Sequence, residues 1–441
     1  MATKAPLVVS SIKTLEACRG VRLACILTQM EDRHNRRMPR RAFLLGGPLA
    51  LRAAWAQAAG TKVTRIDTVY WKRREDAPWG PHWTWVRVHT DSGHIGIGET
   101  YPRNPVEAAA IHSGVAPALL GRDPRDIDRI WATLYRAFDY QVTGGAEMRA
   151  LSAVDLALWD LLGKMLNVPV YRLIGGRSNP EVRVYNTCFP HKYSFLTDPE
   201  KIMRELIDGY GVKAIKVWPF DGAAARNRHE YVSNADIEQA LVPIRKLRDT
   251  FGNDIEIAIE FHSNWNLTSA VRIARSLEPY KPMWLEDMLL PGNFAQYREL
   301  AQATPLPLTI SERMAGRYQF LDLLESRAAK YVMFDVCWCG GLSEARKIAT
   351  MAESYQLPIA PHTAGGPLLF YASTHLTTAS TNVWIQESVQ RYYESDWARM
   401  IENLIVPKNG FVRAPDLPGF GMLIKPEVWN HPAAVIQTSQ L

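Results

Sequence analysis

The chain reads as an α/β protein, a parallel barrel of alternating strands and helices preceded by a smaller α+β domain. Three observations predict this. From residue 182 onward, eight short runs rich in β-branched and aromatic residues are separated by helix-length segments, and parallel strands need crossovers of that length. Residues 63–99 instead alternate apolar and polar side chains, the period of a half-buried antiparallel sheet. Acidic and imidazole side chains then recur at the ends of successive barrel runs, on the rim where such barrels carry chemistry.

In the first domain the alternating runs 63–70 and 84–89, followed by Gly-rich 94–99, predict a meander. Helical periodicity is clearest over 150–166, ALSAVDLALWDLLGKML, which ends before Pro169, and Gly175-Gly176 closes the domain. The barrel runs are VRVYNT, AIKVWP, IEIAIEFH, PMWLED, PLTISE, YVMFDVCW, PIAPH and VWIQES. These readings divide the chain into a leader (1–56), an α+β domain (57–180), a barrel (181–403) and a C-terminal segment (404–441) expected to fold back onto the first domain.

The formal charge of +6 does not mark a nucleic-acid surface. Residues 1–56 carry ten Lys/Arg against three Asp/Glu, or +7, so the remainder is 6 − 7 = −1. Within the leader, residues 38–56 run from Met38 through Arg40-Arg41 and a short apolar stretch to Ala54-Trp55-Ala56. That order is the pattern of a twin-arginine export signal, with Met38 the expected start and the periplasm the expected compartment; without export the protein would be cytoplasmic. No segment has the length of a membrane span. Outside the leader, Cys188, Cys337 and Cys339 form neither a disulfide framework nor a four-ligand zinc pattern.

Glu260, Glu286 and Glu312 end the third, fourth and fifth barrel runs at equal intervals, 286 − 260 = 312 − 286 = 26. A single glutamate there is ordinarily a surface residue. Three spaced by one βα unit converge on one rim, repel one another unless a cation lies between them, and as an all-oxygen set suit Mg²⁺. Asp335, His362 and Glu387 end the sixth, seventh and eighth runs. An Asp one strand from a His can accept its Nδ1–H and make it a general base. By the two-residue strand period, His262 shares a face with Glu260, and Trp218 with Lys216.

The barrel and the ALSAVDLALWDLLGK helix resemble the mandelate racemase subgroup of the enolase superfamily, over residues 63 to 426. The resemblance implies a (β/α)7β modified TIM barrel with an N-terminal capping domain. It makes Glu260, Glu286 and Glu312 ligands of Mg²⁺, His362 with Asp335 the base dyad, and Glu387 the residue that hydrogen-bonds the substrate carboxylate as it becomes an enediolate. The racemases of this family carry Lys-x-Lys on the second strand, whereas this chain has Lys216-Val217-Trp218. Glu260-Phe261-His262 instead resembles the sugar-acid dehydratases, in which the histidine is the acid that helps a β-hydroxyl leave.

The expected reaction is removal of the proton next to the carboxylate of a sugar acid, followed by loss of water to a 2-keto-3-deoxy acid. Lys216 would contact the substrate carboxylate, serve as a residual acid/base or simply neutralise the metal ligands. Two capping-domain loops, 70–83 and 100–104, are expected to close over the barrel mouth. They supply Trp71, Arg73, Arg74, His82, Trp83 and Tyr101 as substrate contacts, with Trp218 narrowing the cavity. Epimerization or lactone cycloisomerization is the rival chemistry, and a non-catalytic periplasmic sugar-acid binding protein the rival class. A homo-oligomer is expected.

Overall fold

The computed structural model of the chain describes residues 60–71, 83–102, 104–138 and 144–441. The leader, with the export signal expected in it, lies outside these residues, as do Arg73, Arg74 and His82. Among the described residues no helix is long and apolar enough to cross a membrane.

The N-terminal meander forms as read, with β1 (Val63–Tyr70), β2 (Thr84–Thr90) and β3 (Ile95–Thr100). A fourth strand, β12 (Val435–Gln440), comes from the other end of the chain and pairs antiparallel with β1, giving the order β12-β1-β2-β3. Across this sheet lies the helix Gly145–Leu166, which starts five residues before the apolar periodicity because its first turn is polar. Gly96 and Gly98 let it approach, since a Cβ there would lie 2.0 Å from the Ala157 carbonyl oxygen and 1.8 Å from that of Ala153. Asn167, in the left-handed conformation, ends the helix, and the Val168 N–H returns to the Gly163 carbonyl at 2.9 Å.

The barrel strands are β4 (Val182–Thr187), β5 (Ala214–Val217), β6 (Glu256–Glu260), β7 (Trp284–Glu286), β8 (Leu308–Ile310), β9 (Tyr331–Val332) and β10 (Gln386–Ser388). Successive strands pair in parallel from β4 to β9, and β10 pairs in parallel with β4. Between β9 and β10 runs the PIAPH segment, joined through single parallel bridges at Val332–Ile359, Asp335–His362 and Ile359–Val383. It completes eight staves. A short β11 (Phe411–Val412) flanks β4 on the outside. Tyr185, Ala258, Trp284, Met333 and Ala360 form a separate apolar cluster with their neighbours, filling the barrel beneath the carboxylates.

The long helix also docks the first domain on the barrel. Asp155 accepts from the Ser343 N–H (2.9 Å) and hydroxyl (2.5 Å), the Trp159 indole donates to Ser343 Oγ (2.9 Å), and Ser152 Oγ accepts the Gly340 N–H (3.0 Å). Polar residues of the ALSAVDLALWDLLGK stretch therefore grip the turn that follows Asp335. This explains why the helix is buried on more than one face.

Candidate active site

Glu260 and Glu286 are register partners on β6 and β7. Glu312 is not level with them, because Glu286 pairs with Thr309 and Glu312 lies three residues farther along, beyond the end of β8. Equal spacing in sequence thus meets a staggered barrel, and the turn after β8 brings the third carboxylate back. One oxygen from each residue lies within 4.8 Å of the others. All three are buried.

Burial, then the charge of Glu260, pushes Glu286 far above the usual carboxylate range, and burial carries Glu260 up to about 7. One oxygen of Glu260 is buried without a hydrogen-bond partner. The Trp284 indole donates to Glu286 at 2.8 Å and fixes it from below. Crowded, oxygen-only and incompletely satisfied, the set fits a hard divalent cation such as Mg²⁺, which would relieve the repulsion.

Lys216, on β5, reaches the same carboxylates. Its Nζ is 2.6 Å from Glu286, 3.0 Å from Glu387 and 3.7 Å from Glu260. Burial works against its charge, but Glu286 and Glu387 outweigh burial and keep it protonated. Glu387 accepts from the Thr187 hydroxyl and the Thr363 N–H (2.6 Å). Burial raises its pKa, yet Lys216 and His362 bring it below the ordinary value. Glu387 therefore accepts from Thr187, Thr363 and Lys216 in this structure.

Asp335 and His362 are bridge partners on adjacent staves, and the His362 N–H donates to the Phe334 carbonyl at 3.0 Å. That bridge sets His362 Nδ1 2.7 Å from Asp335 Oδ2. Since a carboxylate only accepts, Nδ1 carries a hydrogen toward Asp335, and Nε2, facing inward 2.8 Å from Glu312 and 3.6 Å from Glu387, carries one toward Glu312. Burial opposes the charge, but Glu312, Glu387 and Asp335 outweigh it and hold the ring as an imidazolium, so Nε2 can accept a proton only once Glu312 no longer takes its N–H. The Cys337 N–H donates to Asp335 Oδ1 at 2.7 Å. Tyr101 donates its hydroxyl to Asp335 Oδ2. Its ring lies against Trp338, whose ring in turn faces His362. Tyr101 thus holds the dyad from the capping domain instead of offering its hydroxyl to a substrate.

Three further expectations change. Trp71 and Trp83 are 1% and 2% exposed and pack around Trp85, which meets Trp429, so they belong to the capping domain's core. They flank β1 and β2 just outside the strands, as the alternating runs predict, but their rings are buried. His262 does not continue the face of Glu260: β6 stops at Glu260, and His262 and Ser263 have φ of 50° and 60°. The Glu260 carboxylate takes the N–H groups of Phe261 (3.1 Å) and His262 (2.5 Å), and this turn throws the imidazole sideways. There its Nδ1 meets Asp221 Oδ2 at 2.6 Å, while Trp218 stands edge-on 5.9 Å away.

Sequence reasoning missed Asp221, Glu99, Thr187 and Thr363. Asp221 opens the short helix just after β5, and its signal was an acid three residues beyond Trp218. Glu99, next to the end of β3, accepts the Trp85 indole (2.8 Å) and the N–H groups of Leu368 (3.0 Å) and Leu369 (3.2 Å). It caps the helix Pro367–Ala379 that follows the His362 loop. Gly366 is required there, because a Cβ would lie 2.3 Å from the Glu99 carboxylate.

Residues 200–428, more than half the chain, match the enolase C-terminal domain-like family. Residues 81–175 match the mandelate racemase/muconate lactonizing enzyme N-terminal domain. The chain belongs to the enolase superfamily. Within it, the protein resembles solved members of the mandelate racemase subgroup. One from Agrobacterium tumefaciens is 38% identical, with 86% of this chain and 99% of that one covered at a TM-score of 0.77. An enolase protein from Sargasso Sea environmental sequence is 34% identical over 86% and 99%, at a TM-score of 0.79. Two relatives named D-galactonate dehydratase are each 32% identical. That of Ralstonia nicotianae aligns over 78% of this chain and 88% of its own, and that of Xanthomonas euvesicatoria over 83% and 93%. This enolase-superfamily protein is accordingly an enzyme of the hydro-lyase type.

Proposed function

We propose that the enzyme dehydrates a sugar acid to a 2-keto-3-deoxy acid in a Mg²⁺-dependent reaction, with galactonate the first acid to test. The observation that carries the reading is the cluster of Glu260, Glu286 and Glu312 with His362 Nε2 2.8 Å from Glu312, and a second imidazole, His262, in the turn two residues past Glu260. His362 Nε2 takes the proton next to the substrate carboxylate. The released electron pair forms the new C=C bond, and the β C–O bond breaks as His262 supplies a proton to the departing oxygen. The resulting enol tautomerizes to the ketone. Lys216 meets the substrate carboxylate with its ammonium, and Glu387 anchors Lys216.

Glu260, Glu286 and Glu312 would hold the Mg²⁺, which when bound spreads the negative charge developing on the substrate carboxylate. Burial of His362 behind Asp335 and Tyr101 excludes water from the base. Trp218, where the family's racemases carry a second lysine, removes one opposite-face base and favours elimination over epimerization.

A panel of aldonic and aldaric acids assayed for 2-keto acid, with and without Mg²⁺, tests the proposal. The expected result is keto acid from one acid, abolished by EDTA and restored by Mg²⁺. Reaction in D₂O that leaves every hydroxyl in place and adds α-deuterium would establish epimerization instead. Binding without turnover across the panel would favour a binding protein. Export rests on the Arg40-Arg41 segment, and periplasmic fractionation with an Arg40→Lys/Arg41→Lys pair tests it. Retained export in that pair would remove the assignment. A homo-oligomer is the expected assembly, checked by light scattering.

A further inference from the structure

The rim holds a second imidazole–carboxylate pair. Asp221 Oδ2 lies 2.6 Å from His262 Nδ1, its other oxygen lies 3.4 Å from the Asn264 side-chain nitrogen, and the Trp218 ring closes the third side. Asp221 comes from the segment after β5 and His262 from the turn after β6, so the contact joins neighbouring staves as Asp335 and His362 are joined. The left-handed backbone at His262 and Ser263 is the conformation that L residues adopt only when the surroundings impose it. Here the two N–H donations to Glu260 impose it, and its effect is to aim the ring at Asp221.

We infer that Asp221 is a positioning residue for the elimination half of the reaction: it holds the Nδ1–H of His262, so that Nε2 is the nitrogen presented to the departing β-hydroxyl. This rests on the dehydration reading above. The ring passes its Nε2 proton to the oxygen as the C–O electron pair leaves with that oxygen as water. It ends neutral, with its remaining proton on Nδ1 and held by Asp221. Without the carboxylate the ring rotates freely and either nitrogen can carry the hydrogen. His362 and Asp335 are untouched by that loss, so removal of the α-proton continues. The enzyme would then be built from two imidazole–carboxylate pairs, one for each bond broken.

The test uses the full chain with Mg²⁺, galactonate and 3-deoxy-3-fluorogalactonate, whose fluoride leaves as an anion and takes no proton from the ring. Asp221→Asn is expected to lower kcat for galactonate about thirtyfold with KM within twofold, to keep α-proton exchange in D₂O, and to lose less than threefold on the fluoro acid. His262→Asn should show the same pattern more strongly. An Asp221→Asn enzyme as fast as the parent, beside a crippled His262→Asn, overturns the role of Asp221 alone. An unimpaired His262→Asn overturns the acid assignment on which it rests. Equal losses on both substrates reduce Asp221 to a structural residue. Independently of any substrate, ¹⁵N spectra of histidine-labelled enzyme, assigned with His262→Asn, should show His262 protonated at Nδ1 and should lose that signature in Asp221→Asn. An unchanged signature overturns the inference.

Discussion

The two imidazole–carboxylate pairs on the rim differ in how they are held. In the His362–Asp335 pair the side chains are 6% and 0% exposed, and in the His262–Asp221 pair 36% and 30%. The first is fixed by a backbone bridge between adjacent staves, by the Cys337 N–H and by Tyr101 from the other domain. The second is fixed by turns. The difference suits the two halves of a dehydration. A base facing a weakly acidic C–H gains from a dry and preorganised environment, whereas the group beside a departing water needs a path to solvent. A third pair, His89 and Asp67 in the capping sheet, meets through Nε2 at 2.9 Å and belongs to no three-carboxylate cluster among the described residues, so it serves as a structural control.

The sharpest break of the comparison is His362→Asn. It should lower kcat by about 10³-fold and abolish α-proton exchange, within the range for loss of a general base, with the circular dichroism spectrum unchanged. Residual exchange in that variant would move the base elsewhere. Tyr101→Phe comes next. Losing a hydrogen bond to a charged group is worth about 1.5–3 kcal/mol, and if half of the mid-range value reaches the transition state the fall in kcat is several-fold to about tenfold. Exchange and elimination should decline together, since Tyr101 acts through the base. A Tyr101→Phe enzyme with normal exchange would instead place that hydroxyl outside the dyad's function.

The smallest effect is expected from Asp67→Asn, and in stability alone. Burial raises the Asp67 pKa, but His89, Thr438 and Arg87 outweigh burial and bring it down to about 2 from 3.8. A lowered folded pKa means that this contribution is complete above about pH 4 and disappears as the pH falls through about 2. Asp67→Asn should lower Tm by about 2 °C at pH 7 and flatten the slope of Tm between pH 4 and 2, with kcat unchanged. Differential scanning calorimetry across that range checks the sign. A loss of activity would mean that the capping sheet has a role in the reaction.

Much of the site was legible because strand ends in a parallel barrel converge whatever lies between them. Glu260, Glu286, Asp335, His362 and Glu387 needed only the count of runs and the rule about the rim. Glu312 was found by its interval, though it reaches the cluster through a turn beyond its strand. His262 was read as an inward strand residue because alternation was extended two positions past the end of β6; a hydrogen-bonded turn after a strand leaves no mark on the hydrophobic pattern. Trp71 and Trp83 were misjudged for a related reason. An aromatic residue beside a loop has the same letter whether it faces a ligand or the capping core, and packing against Trp85 and Trp429 decides which. Glu99, Tyr101 and Asp221 act on partners 41 to 270 residues away in sequence, beyond the reach of any local period.

The sequence by itself determined the architecture and the chemical inventory: eight staves, an alternating N-terminal sheet, a helix apolar enough to lie between them, and acids and imidazoles at the ends of the staves. These follow from periodicities of two and 3.6 residues and from residue type, both local properties. The His362–Asp335 pair was foreseen, but only the tertiary structure decided the other pairings: that His262 meets Asp221, how Lys216 comes to touch three glutamates, and that a tyrosine of the first domain holds the aspartate of the second. Those depend on barrel stagger and on turns that bring distant residues within about 3 Å of one another, and distances of that kind are set by the whole fold rather than by any stretch of it.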